Sequence, residues 1–131
     1  MLVNISFYGY TFIMNMIRDD ILTNSEIMAV KDIILNTVDC EKIYLFGSYA
    51  YNKQHHNSDY DFYVVLKNDD KNSVLAEQSI YRNLSKRKGR YTPIDVIAES
   101  TNKFNALCAL PTIERKIARE GVLLYDLAGL A

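Results

Sequence analysis

Aliphatic residues recur at helical spacing in the stretch that begins near Ser25. Their separations of three and four residues place them on one face of a helix. They are Ile27, Val30, Ile33, Ile34 and Val38. Because serine is a residue type that caps helix N-termini, the pattern predicts a helix over Ser25–Val38. The same reasoning predicts helices over Ser73–Ser85, Asn102–Leu110 and Thr112–Glu120, with Gly121 ending the last one.

Four short runs rich in β-branched and aromatic residues alternate with these helices. They predict strands over Lys42–Phe46, Asp59–Leu66, Pro93–Ala98 and Val122–Tyr125. Interleaving of this kind indicates an α/β or α+β fold, in which helices pack mainly on one side of a small mixed sheet. No repeat or flexible linker interrupts the chain, so residues 25–131 are predicted to form one domain and residues 1–24 an N-terminal extension.

The segment Met1–Ile17 is apolar and aromatic, with polar interruptions. It has no basic start and no small-residue cleavage site, and it is too short and too polar to span a bilayer. We therefore expect a protein without membrane attachment. The segment itself is interpreted as an amphipathic helix, a partner-binding surface or an upstream start extension.

Composition and charge narrow the function classes. The chain has 131 residues, of which 49% are hydrophobic, as in a globular domain. Fifteen basic and sixteen acidic residues give a net charge of −1, without the broad positive field of a nonspecific nucleic-acid binder. No direct nucleic-acid binding is expected. Cys40 and Cys108 have the spacing of neither a disulfide framework nor a zinc site, which is typical of a protein in a reducing cytoplasm.

The chemistry concentrates in three aspartates on two predicted strands. Residues i and i+2 of a strand point to the same face, so Asp59 and Asp61 are expected to present two carboxylates to one side. Asp95 alternates with the apolar Ile94 and Val96 and faces away from them. Neighbouring carboxylates repel one another unless a divalent cation offsets their charge. The pattern predicts a metal site formed by these three aspartates.

Gly47 and Ser48 end the first predicted strand and open a short helix. Glycine lets the backbone approach a ligand closely, and the serine hydroxyl and nearby N–H groups suit an anion. Oxygen ligands without histidine or cysteine favour Mg²⁺ or Mn²⁺, which commonly bind substrate phosphates as well. The implied substrate is a nucleoside triphosphate whose phosphates contact Gly47 and Ser48.

The spacing Gly47-Ser48, ten residues, Asp59-x-Asp61, followed by a single aspartate on a later strand, resembles the polymerase beta-like nucleotidyltransferase superfamily. The chain is most similar to its minimal, stand-alone members over roughly Ser25–Asp126, including the run Arg119–Asp126. The resemblance implies the fold of that superfamily and transfer of a nucleoside monophosphate, AMP from ATP, to an acceptor hydroxyl. It also implies two Mg²⁺ ions, held by Asp59, Asp61 and Asp95.

Minimal nucleotidyltransferases are typically paired with a helical HEPN protein, a toxin ribonuclease that they neutralise by adenylylating a tyrosine. The resemblance therefore implies an antitoxin with a HEPN partner. One position departs from the family pattern: Tyr51-Asn52 stands where many relatives have Arg-Gly. This departure and the apolar N-terminal segment leave open a catalytically weak partner-binding module. A separate alternative is an enzyme for aminoglycoside-like small molecules that acts as a homodimer.

Each candidate residue also has a purely structural interpretation. Asp59 and Asp61 can serve in a turn or at a solvated strand edge, Asp95 in a salt bridge, and Ser48 as a helix cap. His55 and His56 are interpreted as loop surface. The basic cluster Lys86–Arg90 is interpreted as a solvated helix end, with contact to a triphosphate or an acidic partner as its functional alternative. Tyr49 and Tyr51 are candidates to stack on a nucleobase.

Overall fold

The structure is a computed structural model, which describes residues 20–51, 53, 58–67 and 72–129. The helices are α1 (Ser25–Thr37), α2 (Gly47–Ala50), α3 (Ser73–Leu84), α4 (Thr101–Cys108) and α5 (Ile113–Glu120). The strands are β1 (Cys40–Phe46), β2 (Tyr60–Leu66), β3 (Ile94–Ser100) and β4 (Val122–Asp126). The segment Met1–Ile17 and the pair His55 and His56 lie outside the described residues.

Within the described residues the strands form one four-stranded sheet in the order β3-β2-β1-β4. β1 runs antiparallel to both of its neighbours, β2 and β4. β2 and β3 are parallel, and the connection between them contains α3, as a parallel crossover requires. The mixed sheet with interleaved helices confirms the predicted fold class.

One face of the sheet is covered by α1 and α3. The side chains of Ile27, Val30 and Ile34 on α1 are almost completely buried, and Ile80 of α3 lies beside them in the same core. Alternate strand residues complete this core, because successive side chains of a strand point to opposite faces. They are Ile43, Leu45, Tyr60, Phe62, Val64, Leu66, Val96 and Ala98. Each fully buried aliphatic side chain contributes about 1.5–3 kcal/mol.

The other face has a smaller core beneath two short helices. Tyr44, Tyr63 and Val65 of the sheet pack against Phe104 of α4 and Ile117 of α5. The buried hydroxyl of Tyr63 donates a hydrogen bond to Oε2 of Glu114, 2.9 Å away. The two longer helices lie on one face of the sheet and the two short helices on the other, and the sequence pattern does not separate these two layers.

The predicted boundaries need small corrections. The N-cap of α1 is Asn24 and not Ser25, because the Asn24 side chain accepts a hydrogen bond from the backbone amide of Ile27. β2 begins at Tyr60, so Asp59 precedes the strand. Gly121 ends α5 as predicted, and an ideal Cβ there would lie 2.7 Å from the carbonyl oxygen of Ile117.

β3 lies at one edge of the sheet, and α3 binds the backbone groups that this edge would otherwise expose. The Tyr81 hydroxyl accepts a hydrogen bond from the Val96 amide at 2.7 Å. The Glu77 carboxylate accepts one from the Ala98 amide at 2.9 Å. These two side chains therefore supply the outward partners that β3 does not receive from another strand.

Both cysteines are free: Cys40 is buried, Cys108 is half-buried, and burial raises the pKa of the Cys40 thiol to about 11. None of the helices among the described residues is both long and apolar enough to cross a membrane.

Candidate active site

The strand directions bring the predicted site residues to one edge of the sheet. β1 ends where β2 and β3 begin, and Phe46 of β1, Asp61 of β2 and Asp95 of β3 are consecutive partners across the sheet. Gly47 follows Phe46 directly. The sequence separates these segments widely, so the topology assembles the site.

Position 47 requires glycine for two reasons, namely its backbone conformation and its contact with Asp61. Its φ is +75°, a region that residues with a side chain rarely adopt. An ideal Cβ at this position would overlap Oδ2 of Asp61 and would lie 3.0 Å from Cγ of that residue. The peptide backbone at the start of α2 therefore lies directly against the carboxylate of Asp61, which only glycine permits.

Asp61 and Asp95 form a carboxylate pair. The pKa of Asp61 is raised to about 6, first by burial and then by the charges of Asp95 and Asp59. The carboxyl groups of Asp61 and Asp95 also share a hydrogen bond, which favours the protonated form of Asp61. Asp95 is exposed to solvent, whereas Asp59 and Asp61 are half-buried. Among the described residues, the charges that act on Asp61 are therefore those of two further carboxylates, and the site is acidic.

The donor set fits a magnesium ion. As the side chains stand, no three acidic, histidine or cysteine groups within the described ranges enclose a common metal position. Mg²⁺ does not require such an enclosure, because it is usually held by one or two carboxylates and completed by water and substrate phosphates. Neighbouring negative charges disfavour the ionised form of Asp61. A divalent cation bound there would offset this repulsion.

The sequence profile of the polymerase beta nucleotidyltransferase family matches residues 28–128, which contain the whole of this site. The chain belongs to this family. No match is found among the curated proteins.

Solved structures with this nucleotidyltransferase fold include a candidate nucleotidyltransferase from Sulfolobus solfataricus, with a TM-score of 0.54 at 17% identity. The similarity covers 88% of this chain and 89% of that one. A chain from a toxin–antitoxin structure with AMP-PNP has a TM-score of 0.52 at 22% identity and covers 74% of this chain and 70% of that one. At such identities the likeness shows a shared fold.

A third similar chain comes from the MntA-HpeT toxin–antitoxin, in a mutant with two aspartates replaced by glutamate. Its TM-score is 0.51 at 19% identity, and the similarity covers 75% of this chain and 70% of that one.

Aromatic side chains near the site of this nucleotidyltransferase domain lie on both faces of the sheet. Phe46 and Tyr63 meet edge to face, with ring centroids 6.4 Å apart, on the same side of the sheet as Asp61. Tyr49 instead packs on Tyr60, at 4.6 Å, on the face of α1 and α3. Tyr49 also lines a cavity of about 420 Å³ together with Ser58 and other residues near the start of β3. Stacking of Tyr49 on a base stays a prediction.

The basic cluster Lys86–Arg90 is divided between structural and exposed residues. Arg87 donates from Nε to the carbonyl oxygen of Leu84 at 3.2 Å, and its guanidinium lies 4.0 Å from the ring centroid of Tyr91. Arg87 thus caps a carbonyl group at the C-terminal end of α3, whereas Lys86, Lys88 and Arg90 are exposed. Contact of this cluster with a ligand stays a prediction.

Sequence reasoning missed two residues beside the site. Glu114 binds the hydroxyl of Tyr63, and the Lys116 ammonium lies 4.6 Å from the ring centroid of Tyr51. Both lie on α5, far along the chain from the predicted motif. Their spacing carries no local signal, and only the docking of α5 on the sheet brings them near.

Proposed function

We propose that this chain is a magnesium-dependent nucleotidyltransferase that moves AMP from ATP to an acceptor hydroxyl. The observation that carries the proposal is the contact of Asp61 with both Asp95 and the backbone of Gly47. A carboxylate pair beside a close backbone approach suits the charge distribution of a metal-bound triphosphate. Ser48, half-buried in the first turn of α2, is proposed to contact the same phosphates.

In the proposed reaction the acceptor oxygen forms a bond to the α-phosphorus. The bond from that phosphorus to the oxygen bridging to the β-phosphate breaks, and pyrophosphate leaves. The hydroxyl proton passes to a carboxylate, and Asp95 suits this role because it is the exposed member of the pair. Asp59 and Asp61 would hold Mg²⁺ together with Asp95. When bound, the metal would neutralise the charge of the triphosphate and of the leaving pyrophosphate.

The proposed acceptor is a tyrosine of a HEPN toxin, which makes the chain an antitoxin. The similarity of the fold to two toxin–antitoxin chains, one solved with AMP-PNP, supports this role. In the other, the two mutated aspartates are separated by one residue, as Asp59 and Asp61 are here.

Intact mass spectrometry tests the proposal. The chain is incubated with a HEPN protein as candidate partner, ATP and Mg²⁺. The expected result is a mass gain of that protein in multiples of AMP, located on tyrosine by fragmentation. The isosteric variant Asp61→Asn is the control, since it keeps the side-chain volume and removes the charge. An unchanged partner mass with the wild-type chain would contradict the proposed reaction.

The same preparation separates catalysis from binding. Undiminished neutralisation of the toxin by an Asp59→Asn, Asp61→Asn double variant would favour a partner-binding module. The Tyr51-Asn52 pair, in place of Arg-Gly, is the sequence feature that supports this alternative. AMP transfer to a hydroxylated small molecule and not to protein would favour the aminoglycoside-like alternative.

A further inference from the structure

Helix α5 brings a cation next to Tyr51, the residue that follows α2. Lys116 is exposed, and its Nζ lies 4.6 Å from the ring centroid of Tyr51, within the range of a cation–π contact. The ion pairs found among the described residues do not include Lys116. Within that part of the chain its positive charge is held by an aromatic ring and not by a carboxylate.

Tyr51 connects this lysine to Gly47. The Tyr51 amide donates to the carbonyl oxygen of Gly47 at 3.1 Å. Burial and the charge of Glu120 raise the pKa of Tyr51, whereas the Gly47 backbone lowers it. Tyr51 therefore lies close to the residue whose backbone also lies against the Asp61 carboxylate.

The Tyr51 side chain and its lysine neighbour both carry hydrogen-bond donors. A phenol hydroxyl can donate its O–H to an acceptor. The lysine ammonium offers three further donors beside it. Phosphate oxygens accept such bonds strongly, because they carry negative charge.

The negative charge of the site and of its substrate would be partly offset by a cation beside Tyr51. Three aspartates already repel an anionic substrate, and a triphosphate adds its own negative charge. A metal ion held by the carboxylates would lie on the β2–β3 side of Gly47, whereas Lys116 lies beside Tyr51 on the α5 side. A triphosphate placed along Gly47 and Ser48 would therefore meet positive charge at both ends.

We propose that Lys116 and Tyr51 form a binding site for the β- and γ-phosphates of the nucleotide, with Lys116 as its cation. This inference rests on the proposed function. It assigns to α5 a part in substrate binding, although α5 lies far from the aspartate motif in the sequence.

Isothermal titration calorimetry with Mg²⁺ and either ATP or AMP tests this assignment. Lys116→Gln is expected to raise the Kd for ATP about tenfold, the range of one charge-assisted contact, and to leave the Kd for AMP unchanged. Lys116→Arg should restore most of the ATP affinity, and Tyr51→Phe should weaken it a few-fold. The difference between wild type and Lys116→Gln should shrink at high salt, because an exposed charge is screened.

Lys103→Gln is the matched control. Lys103 is an exposed lysine on the neighbouring helix α4 and forms an ion pair with Glu99 at 3.3 Å. An ATP affinity of Lys116→Gln equal to that of wild type, while Asp61→Asn abolishes binding, would overturn the role of Lys116 alone. Absence of Mg²⁺-dependent ATP binding by the wild-type chain would overturn both this assignment and the proposed function.

Discussion

Asp61 destabilises the folded protein when no cation is bound. Its folded pKa of about 6 lies above the 3.8 of the free side chain. Between these values the folded state holds a proton that the unfolded state has lost, so stability falls as the pH rises through this interval. Above pH 6 the folded protein retains a charged carboxylate that its surroundings disfavour.

The variant Asp61→Asn is therefore expected to be more stable than wild type at pH 7.5 in EDTA. We expect a difference of about 1 kcal/mol, since solvent screens a half-buried carboxyl group. The difference should shrink as the pH falls towards 4, because the folded Asp61 carboxyl group is then protonated and neutral, as asparagine is. Thermal unfolding from pH 4 to 8 measures it, and parallel curves for the two proteins would contradict the raised pKa.

Gly47 is the second residue at which the site constrains the backbone. Gly47→Ala forces a side chain into the left-handed region and onto the Asp61 carboxylate, so we expect a loss of more than about 2 kcal/mol of unfolding free energy. Gly89→Ala is the control, because Gly89 also has a positive φ, +102°, but an ideal Cβ there would have no neighbouring atom within 4 Å. Urea unfolding compares them. Equal losses would mean that the contact with Asp61 costs nothing.

At the scale of elements, α5 is held on the sheet by one buried side chain. Ile117 is 1% exposed, whereas Ile113 on the same helix is 51% exposed. Ile117→Ala is expected to cost about 2–4 kcal/mol, because it leaves a cavity beneath α5. Ile113→Ala should change stability by less than about 0.5 kcal/mol. Chemical denaturation of the two variants measures this difference, and similar losses would show that α5 is not anchored through Ile117.

Most elements can be predicted from local pattern, and the reasons for the misses are physical. The aromatic and β-branched run of β2 and the helical spacing of aliphatic residues along α1 are the signals that predict these elements. The pattern places the cap of α1 at Ser25 because serine and asparagine both cap helices, and their order along the chain does not decide which of them does. The layer beneath α4 and α5 is missed because the pattern of a short helix can show that it has an apolar side, as in α5, but not which face of the sheet that side covers.

The site can be predicted as far as strand geometry reaches. Alternation places Asp61 and Asp95 on one side of their strands, and the register brings them together as partners. The contact between Gly47 and Asp61 depends on how β1 pairs with β2, which no single segment specifies. Lys116 depends in addition on where α5 docks, and so its approach to Tyr51 has no counterpart in the local sequence.

At the scale of the whole molecule, nucleotide binding and folding are linked. A ligand that binds only the folded state stabilises it by about 2.7 kcal/mol at a concentration one hundred times its Kd. We expect Mg²⁺ with ATP to raise the Tm of the wild-type protein by several degrees, and the rise to be absent in Asp61→Asn. Differential scanning fluorimetry with and without EDTA checks this. An equal rise in the variant would place the nucleotide elsewhere.

The side chains of Glu77 and Tyr81 on α3 have a consequence for encounters between molecules. An uncovered edge strand is a template for strand addition, whether by a peptide that lengthens the sheet or by a second unfolding copy. With the amides of Val96 and Ala98 already bound, β3 offers another chain few places to pair. Addition of a further strand to β3 is therefore disfavoured. A protein that approaches this edge can reach the exposed carboxylate of Asp95 without pairing with β3.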